Sequence, residues 1–403
     1  MFLEILIAFF LGFIAGTFSG LTPGIHVNLV CVILLSAAPW LIPITGVFPL
    51  IVFIVSMAIT HTFLDTLPSI FLGAPDADNV AIILPGHKLL LEGKGHEAVK
   101  LTIAGSFLSL ILSIMLVPLL IFIVPWMYDK IEFVVGWLIL LVVIFMILKE
   151  KTLTKKLWAF LVFSISGLLG MIVLDFPSLD QPLLPLLSGL FGVSGLLMSL
   201  NDDVLPPPQS FDTTVDVETS TIVQALFAAV TSGWLASLLP GLGSAQAAIL
   251  SGTVFRNLGN YGYLILVGGI NTVNFLLSLV TLYTLDKARN GAVIVVQQLV
   301  EKISLPQIIV LMIVALLAGA MGTLLCLWMS RVFISLMDTV SYPLLCWIVI
   351  CIIVFFVFLF SGMYGFLVLA ISTAVGMIPV LAGIGRNHSM GCLLIPVLLY
   401  FLV

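Results

Sequence analysis

The sequence predicts an all-α polytopic membrane protein of two inverted-topology repeats. Each repeat is a Pro-Gly-broken re-entrant helix pair followed by about five transmembrane helices. Three observations carry this. Of 403 residues, 62% are hydrophobic and 8% charged, where soluble domains carry about 25% charged residues. The stretch Gly20–Asn28, GLTPGIHVN, has an echo at Leu238–Gln246, LLPGLGSAQ. Pro23 matches Pro240, Gly24 matches Gly241 and Gly16 matches Gly233, all at an offset of 217. A polar, acidic, proline-rich segment, 201–219, divides the chain into a first repeat, 1–200, and a second, 220–403.

Residues 2–20 read as an apolar helix with Gly12, Gly16 and Gly20 at four-residue spacing, a stripe that permits close helix packing. The start, MFLEILIAFF, has no basic region and no small-residue cleavage site, so it reads as a retained helix. After the break, 27–42 is again apolar and ends at Pro43. Both segments look short for a span of ~20 residues, which favours a re-entrant pair over 2–43. Proline removes a backbone donor and glycine frees φ. In a membrane such a break is tolerated where protein or a cavity surrounds it.

A long span over 47–72 comes next, then the polar connection Gly73–Gly95 with a short helix at 80–91. Spans are expected at about 99–125, 132–148, 157–174 and 183–200. The second half repeats the plan, with a broken pair over 220–257 and spans near 261–284, 305–329, 341–360, 363–382 and 389–403. The odd number of crossings per half inverts the second repeat. Charge agrees. With Lys149, Lys151, Lys155 and Lys156 in the cytoplasm, Lys88, Lys94, Lys100, Arg256, Arg331 and Arg386 join them. Only Lys130, Lys287, Arg289 and Lys302 fall outside, as the positive-inside rule requires. Both termini are then extracytoplasmic.

Ionisable groups inside spans are costly and face the bundle interior. His61 and Asp65 lie four residues apart on one helical face, with Thr60, Thr62 and Thr66 nearby. They are candidates for carrying a coupling proton or cation, or for a self-satisfied pair that locks packing. The equivalent stretch of the second half, Asn271, Thr272 and Asn274, is polar and uncharged, as expected if one half carries the coupling proton or ion and the other reads substrate. Thr22, His26 and Asn28 flank the first break, and Gly243, Ser244 and Gln246 follow the second. Helices starting after the Pro23–Gly24 and Pro240–Gly241 breaks would point free N–H groups and positive dipole ends at the gap. Such starts hold a carboxylate or phosphate without arginine. Asp76, Asp78 and Asn79 offer oxygens to a cation, or an N-cap to the helix at 80–91.

The five cysteines lie in apolar runs without CxxC spacing and read as small buried hydrophobes. The chain carries no nucleotide-binding glycine loop, no serine-hydrolase elbow and no zinc-ligand spacing. Neither an enzyme nor a resident cofactor is indicated, Na⁺ as a coupling ion aside. No basic patch suggests nucleic acid.

The pattern resembles the large membrane subunit of the tripartite tricarboxylate transporters, the TctA family. That family has a GxxPGxG-type motif in each half, matched by GLTPGIH and LLPGLGS. Gly73, Pro75, Gly86, Lys94, Gly95 and Ala98 fit its polar stretch after the third segment, and LSGLFGVSGLLMSL fits a glycine-phenylalanine segment. His26 and Asp76 stand where the family has glycine. The resemblance implies secondary, ion-coupled uptake of a small organic anion, a di- or tricarboxylate, by alternating access. It also implies a small membrane subunit and an extracytoplasmic binding protein as partners, although a divergent, stand-alone member fits the departures. A homodimer is a further option for assembly. Two other readings stay open. A polyprenyl-phosphate or other lipid-carrier translocase needs the same anion site, and a non-transporting membrane scaffold needs none.

Overall fold

The computed structural model describes residues 2–402, except 23–24, 26, 74–79, 178, 180, 202–206, 211–214, 240–241, 256–257, 289, 301 and 340–341. The first half comprises α1 (Phe2–Leu21), α2 (Val27–Thr45), α3 (Val47–Leu64), α4 (Thr66–Phe71), a 3₁₀ turn Val80–Ile82, α5 (Ile83–Leu91), α6 (Gly95–Leu148), α7 (Leu153–Leu174), α8 (Leu183–Leu187), a π-helical turn Ser188–Val193 and α9 (Ser194–Asn201). The second comprises α10 (Thr219–Leu238), α11 (Ser244–Val254), α12 (Gly259–Leu285), α13 (Gly291–Leu299), α14 (Leu305–Thr339), α15 (Tyr342–Ala382), a 3₁₀ turn Arg386–Met390 and α16 (Gly391–Leu402). Among the described residues, eight helices are long and apolar enough to cross a membrane. The chain is an all-helical, multi-pass membrane protein.

Element by element the halves correspond. A broken pair leads into a buried helix, then a nine-residue helix (α5 or α13), then a long helix. Packing is exchanged between halves. α12 lies along α6 and α3 along α14, while α16 packs on α7 and the π turn on α15. Glycines allow these approaches. A Cβ on Gly16 would come 2.3 Å from the Met57 carbonyl, and one on Gly105 would come 2.0 Å from the Ile265 carbonyl. The stripe Gly12–Gly16–Gly20 seats α1 on α3, and α1 runs a full 20 residues. α10 is also 20 residues long, so both first arms of the pairs reach span length, contrary to the expectation of short arms.

Contacts fix helix directions. Phe71, at the end of α4, lies against Gly95, at the start of α6. Lys94 Nζ donates to the Tyr261 hydroxyl at the start of α12, 3.3 Å away. His96 Nδ1 and Ser330 Oγ, near the end of α14, are 2.8 Å apart. So α3 and α14 end where α6 and α12 begin, and α3 runs opposite to α12. Along α1, Gly12, Gly16 and Gly20 meet Phe53, Met57 and Leu64 in order, so α1 runs with α3. By the same test α10 runs with α12, through Gly262–Thr221 and Gly233–Val273. α1 and α10 therefore run in opposite directions.

The expected spans 99–125 and 132–148 are joined in one 54-residue helical run, α6. A straight helix of that length would reach roughly 80 Å. Both its ends instead lie near Gly73. Phe71 touches Gly95, while Glu150 accepts from the Gly385 N–H beside Arg386, which bonds Ser194 two residues from Leu196, itself against Gly73. The run therefore folds back between Tyr128 and Ile139, and two passes result. In α15 the return is explicit. Gly362 has φ +59° and separates the passes expected at 341–360 and 363–382.

The cysteines are free thiols; Cys351 is exposed on α15, whereas the other four are buried as expected. A side chain on a lipid-facing surface has no need of polar partners, so the apolar run around Cys351 reports membrane and not core.

Candidate functional site

The third segment breaks where its chemistry sits. Pro68 has no N–H and its ring opposes the Leu64 carbonyl one turn back, so α3 ends at Leu64 and α4 starts at Thr66, leaving Asp65 at the joint. The Asp65 carbonyl accepts from Ser69 Oγ at 2.7 Å. His61 Nε2 and Asp65 Oδ2 are 3.8 Å apart, in side chains about 5% and 3% exposed. Ser19 Oγ of α1 lies 3.0 Å from His61 Nδ1. The one-turn spacing does place the two groups on one face, and each also reaches another helix.

Across from them stand the second-half residues. Asn271 Nδ2 donates to Asp65 Oδ2 at 3.1 Å. The Thr62 and Thr272 hydroxyls are 3.1 Å apart. Asn274 Nδ2 donates to Ser244 Oγ at 3.0 Å, which ties α12 to the first residue of α11. Cys326 Sγ of α14 bonds the Phe63 carbonyl at 3.2 Å. His61, Asp65 and Asn271 thus form one bonded chain, with the Thr62–Thr272 and Asn274–Ser244 bonds separate from it along α12, all buried in an otherwise apolar bundle. Burying polar groups is unfavourable unless they are bonded, and the Asp65–Asn271 and Thr62–Thr272 bonds join segments more than 200 residues apart.

Both broken pairs end at these buried groups. Gly20, at the end of α1, lies against Leu64 and the Asp65 N–H. Gly233 of α10 lies against Val273, and Ser244 opens α11 beside Asn274. Gly243 precedes α11 and its carbonyl accepts from the Ala247 N–H at 3.1 Å. Gln246 is buried on the first turn of α11. Asn28, on the first turn of α2, lies against Gly291 at the start of α13, which is capped by Asn290 Oδ1 accepting from the Ala292 N–H. The 3₁₀ turn before α5 packs on α11. The starts of α2 and α13 therefore meet, as do α11 and the approach to α5. First-turn N–H groups lack partners within their helix, so such a meeting place favours negative charge. Thr22 is half-buried, its carbonyl accepting from the Ile25 N–H at 3.2 Å. Pro23, Gly24, His26, Asp76, Asp78, Asn79, Pro240 and Gly241 lie outside the described residues.

Two buried clusters escaped the sequence reading. Arg386 Nη2 donates to the Phe191 carbonyl at 2.8 Å and to Ser194 Oγ at 2.7 Å, closing the π turn. Burial draws the Arg386 guanidinium down to about 10. His388 Nε2 lies 3.0 Å from Glu150 Oε1, and burial lowers its pKa against the pull of that carboxylate. Gln209, in the linker, accepts from the Gly95 N–H and donates to the Leu90 and Pro207 carbonyls. A buried arginine after a Gly-Ile-Gly turn was the available signal for the first. A lone glutamine in a proline-rich linker gives none for the second.

The family model for the tripartite tricarboxylate transporter TctA family matches residues 6–391. The uncharacterized protein MJ1079 of Methanocaldococcus jannaschii is 27% identical over 402 residues, covering 97% of this chain and 98% of its own length. No solved structure matches the chain. With the match running from α1 through the 3₁₀ turn before α16, the chain belongs to the tripartite tricarboxylate transporter TctA family.

Proposed function

We propose that the protein is an ion-coupled secondary transporter of a small organic anion with several carboxylates. The observation that carries this is the buried network His61–Asp65–Asn271, with the oppositely directed α1 and α10 packed beside it. Transporter sites are built this way: interrupted helices in corresponding places aim their positive starts at an anion near the midplane. In this reading the halves are inverted repeats, supported by the opposed directions of α3 and α12, and the broken pairs are re-entrant. The end that gathers Lys94, Lys155, Arg331 and Arg386 faces the cytoplasm, and both termini lie outside. The first turns of α2 and α11, with Asn28, Ser244, Gln246 and Asn274, hold carboxylate. His61 and Asp65 carry the coupling proton or Na⁺. A small membrane subunit and an extracytoplasmic binding protein complete the assembly named by the family.

Uptake into proteoliposomes tests it. Labelled citrate or a dicarboxylate should accumulate only with an imposed Na⁺ or proton gradient, and Asp65→Asn should abolish accumulation while the protein stays folded. Uptake of no carboxylate under either gradient, with polyprenyl phosphate flipped instead, would replace this reading by a lipid-carrier one.

A further inference from the structure

A groove of about 460 Å³ runs between the second pass of α6 and the outer side of the α10–α11 pair. Its volume is in the range of ligand-sized sites, ~300–1,000 Å³. Val142 of α6 faces Leu239 and Leu242 at the turn of the pair and Leu250 and Val254 of α11. The hydroxyls on its wall are already used. Ser232 and Ser251 bond each other at 2.7 Å, and Thr231 Oγ1 donates to the Phe227 carbonyl at 2.8 Å. Lys130 aside, the rest of the wall is apolar, which suits an acyl chain better than a carboxylate. Among the described lining residues one is a cation. Lys130 lines the groove, with its ammonium over the Trp126 ring at 4.1 Å. Trp126 and Trp137 are exposed on either side of the fold-back, and tryptophan with lysine at a helix end marks the headgroup level of a bilayer.

We infer that this groove is a binding site for one anionic glycerophospholipid. Its phosphate sits at Lys130 and one acyl chain lies along Val142 to the turn of the α10–α11 pair. Charge complementarity selects the occupant: an apolar channel with a single ammonium at the interface fits an amphiphile with a negative head. α11 starts at Ser244 beside Asn274, so the acyl chain occupies the depth beyond that start. The site is independent of the transport reading, needing only that the bundle lies in a membrane.

Native mass spectrometry of the detergent-purified protein, exchanged against equimolar phosphatidylglycerol and phosphatidylcholine, tests this. The expected result is one retained lipid per chain, phosphatidylglycerol in preference. Lys130→Gln should cut that preference roughly fivefold, the value of one basic residue near an anionic headgroup, while one lipid is still retained. Val142→Trp should abolish retention by filling the groove. Leu250→Trp, from the other wall, repeats the test if Val142→Trp lowers the melting temperature. Retention and preference unchanged in Lys130→Gln and in both tryptophan variants would overturn the proposal, as would retention of no lipid by the parent protein.

Discussion

Removing Asn271 should cost far more than an ordinary polar deletion, because its amide is bonded to a buried carboxyl. Asn271 Nδ2 donates to Asp65 Oδ2 at 3.1 Å, and both residues are under 5% exposed. A net hydrogen bond between neutral groups is worth ~0.5–1.5 kcal/mol and one to a charged group ~1.5–3 kcal/mol. A double-mutant cycle of Asn271→Ala and Asp65→Ala, read by SDS-induced unfolding in mixed micelles, isolates the pair. Coupling of about 1.5–3 kcal/mol is expected if Asp65 is ionised, and the lower range if it holds a proton at rest. Independent sites add within about 0.5 kcal/mol. Coupling below that would refute the idea that this bond joins the two halves. The cycle Thr62→Val with Thr272→Val, across two neutral hydroxyls 3.1 Å apart, should fall in the neutral range and serves as the internal scale.

Gly268→Ala would put a Cβ 2.2 Å from the Thr102 carbonyl, so it should destabilise by roughly 1–3 kcal/mol through overpacking. Gly322→Ala meets Phe63 at 3.4 Å and should be tolerated, both read by the same unfolding assay. The His388 pKa is held below its ordinary 6.5, chiefly by burial. The neutral imidazole therefore contributes stability above pH 6.5 that is lost as pH falls through the lower folded value. Melting temperature should drop on acidification, and His388→Asn should flatten that drop. Gln209→Ala removes the two bonds that hold the linker to the α5–α6 turn, from the Gly95 N–H and to the Leu90 carbonyl. Hydrogen exchange at Gly95 should rise, with α12 unaffected.

The matched breaks at Pro23–Gly24 and Pro240–Gly241 were legible because Pro-Gly is conspicuous in an apolar run. His61, Asp65, Asn271 and Asn274 were legible because polar side chains stand out against a membrane composition. The sequence did not reveal that His61, Asp65 and Asn271 form one bonded chain, with Asn274 three residues further along α12. Two helices in different halves have no sequence relation that fixes their register, and only the directions of α3 and α12 bring residues 65 and 271 together. The polar residues that seemed to divide between an ion half and a substrate half are thus adjacent. Helix ends were the least legible. α1 and α10 each run 20 residues where short arms were expected, and α6 and α15 each join two passes, because a turn of few residues leaves little compositional trace. Arg386, Glu150 and His388 are spread over 239 positions, and no local pattern links them.

The central claim is that the network around Asp65 belongs to an anion site. Thermal stability of the purified protein against citrate and other di- and tricarboxylates, with and without Na⁺ and across pH, tests it most directly, since a ligand that binds only the folded state raises the melting temperature. The account predicts stabilisation by at least one carboxylate that depends on Na⁺ or on pH and disappears in Asp65→Asn. Stabilisation that survives unchanged in Asp65→Asn and in Asn274→Ala would contradict it.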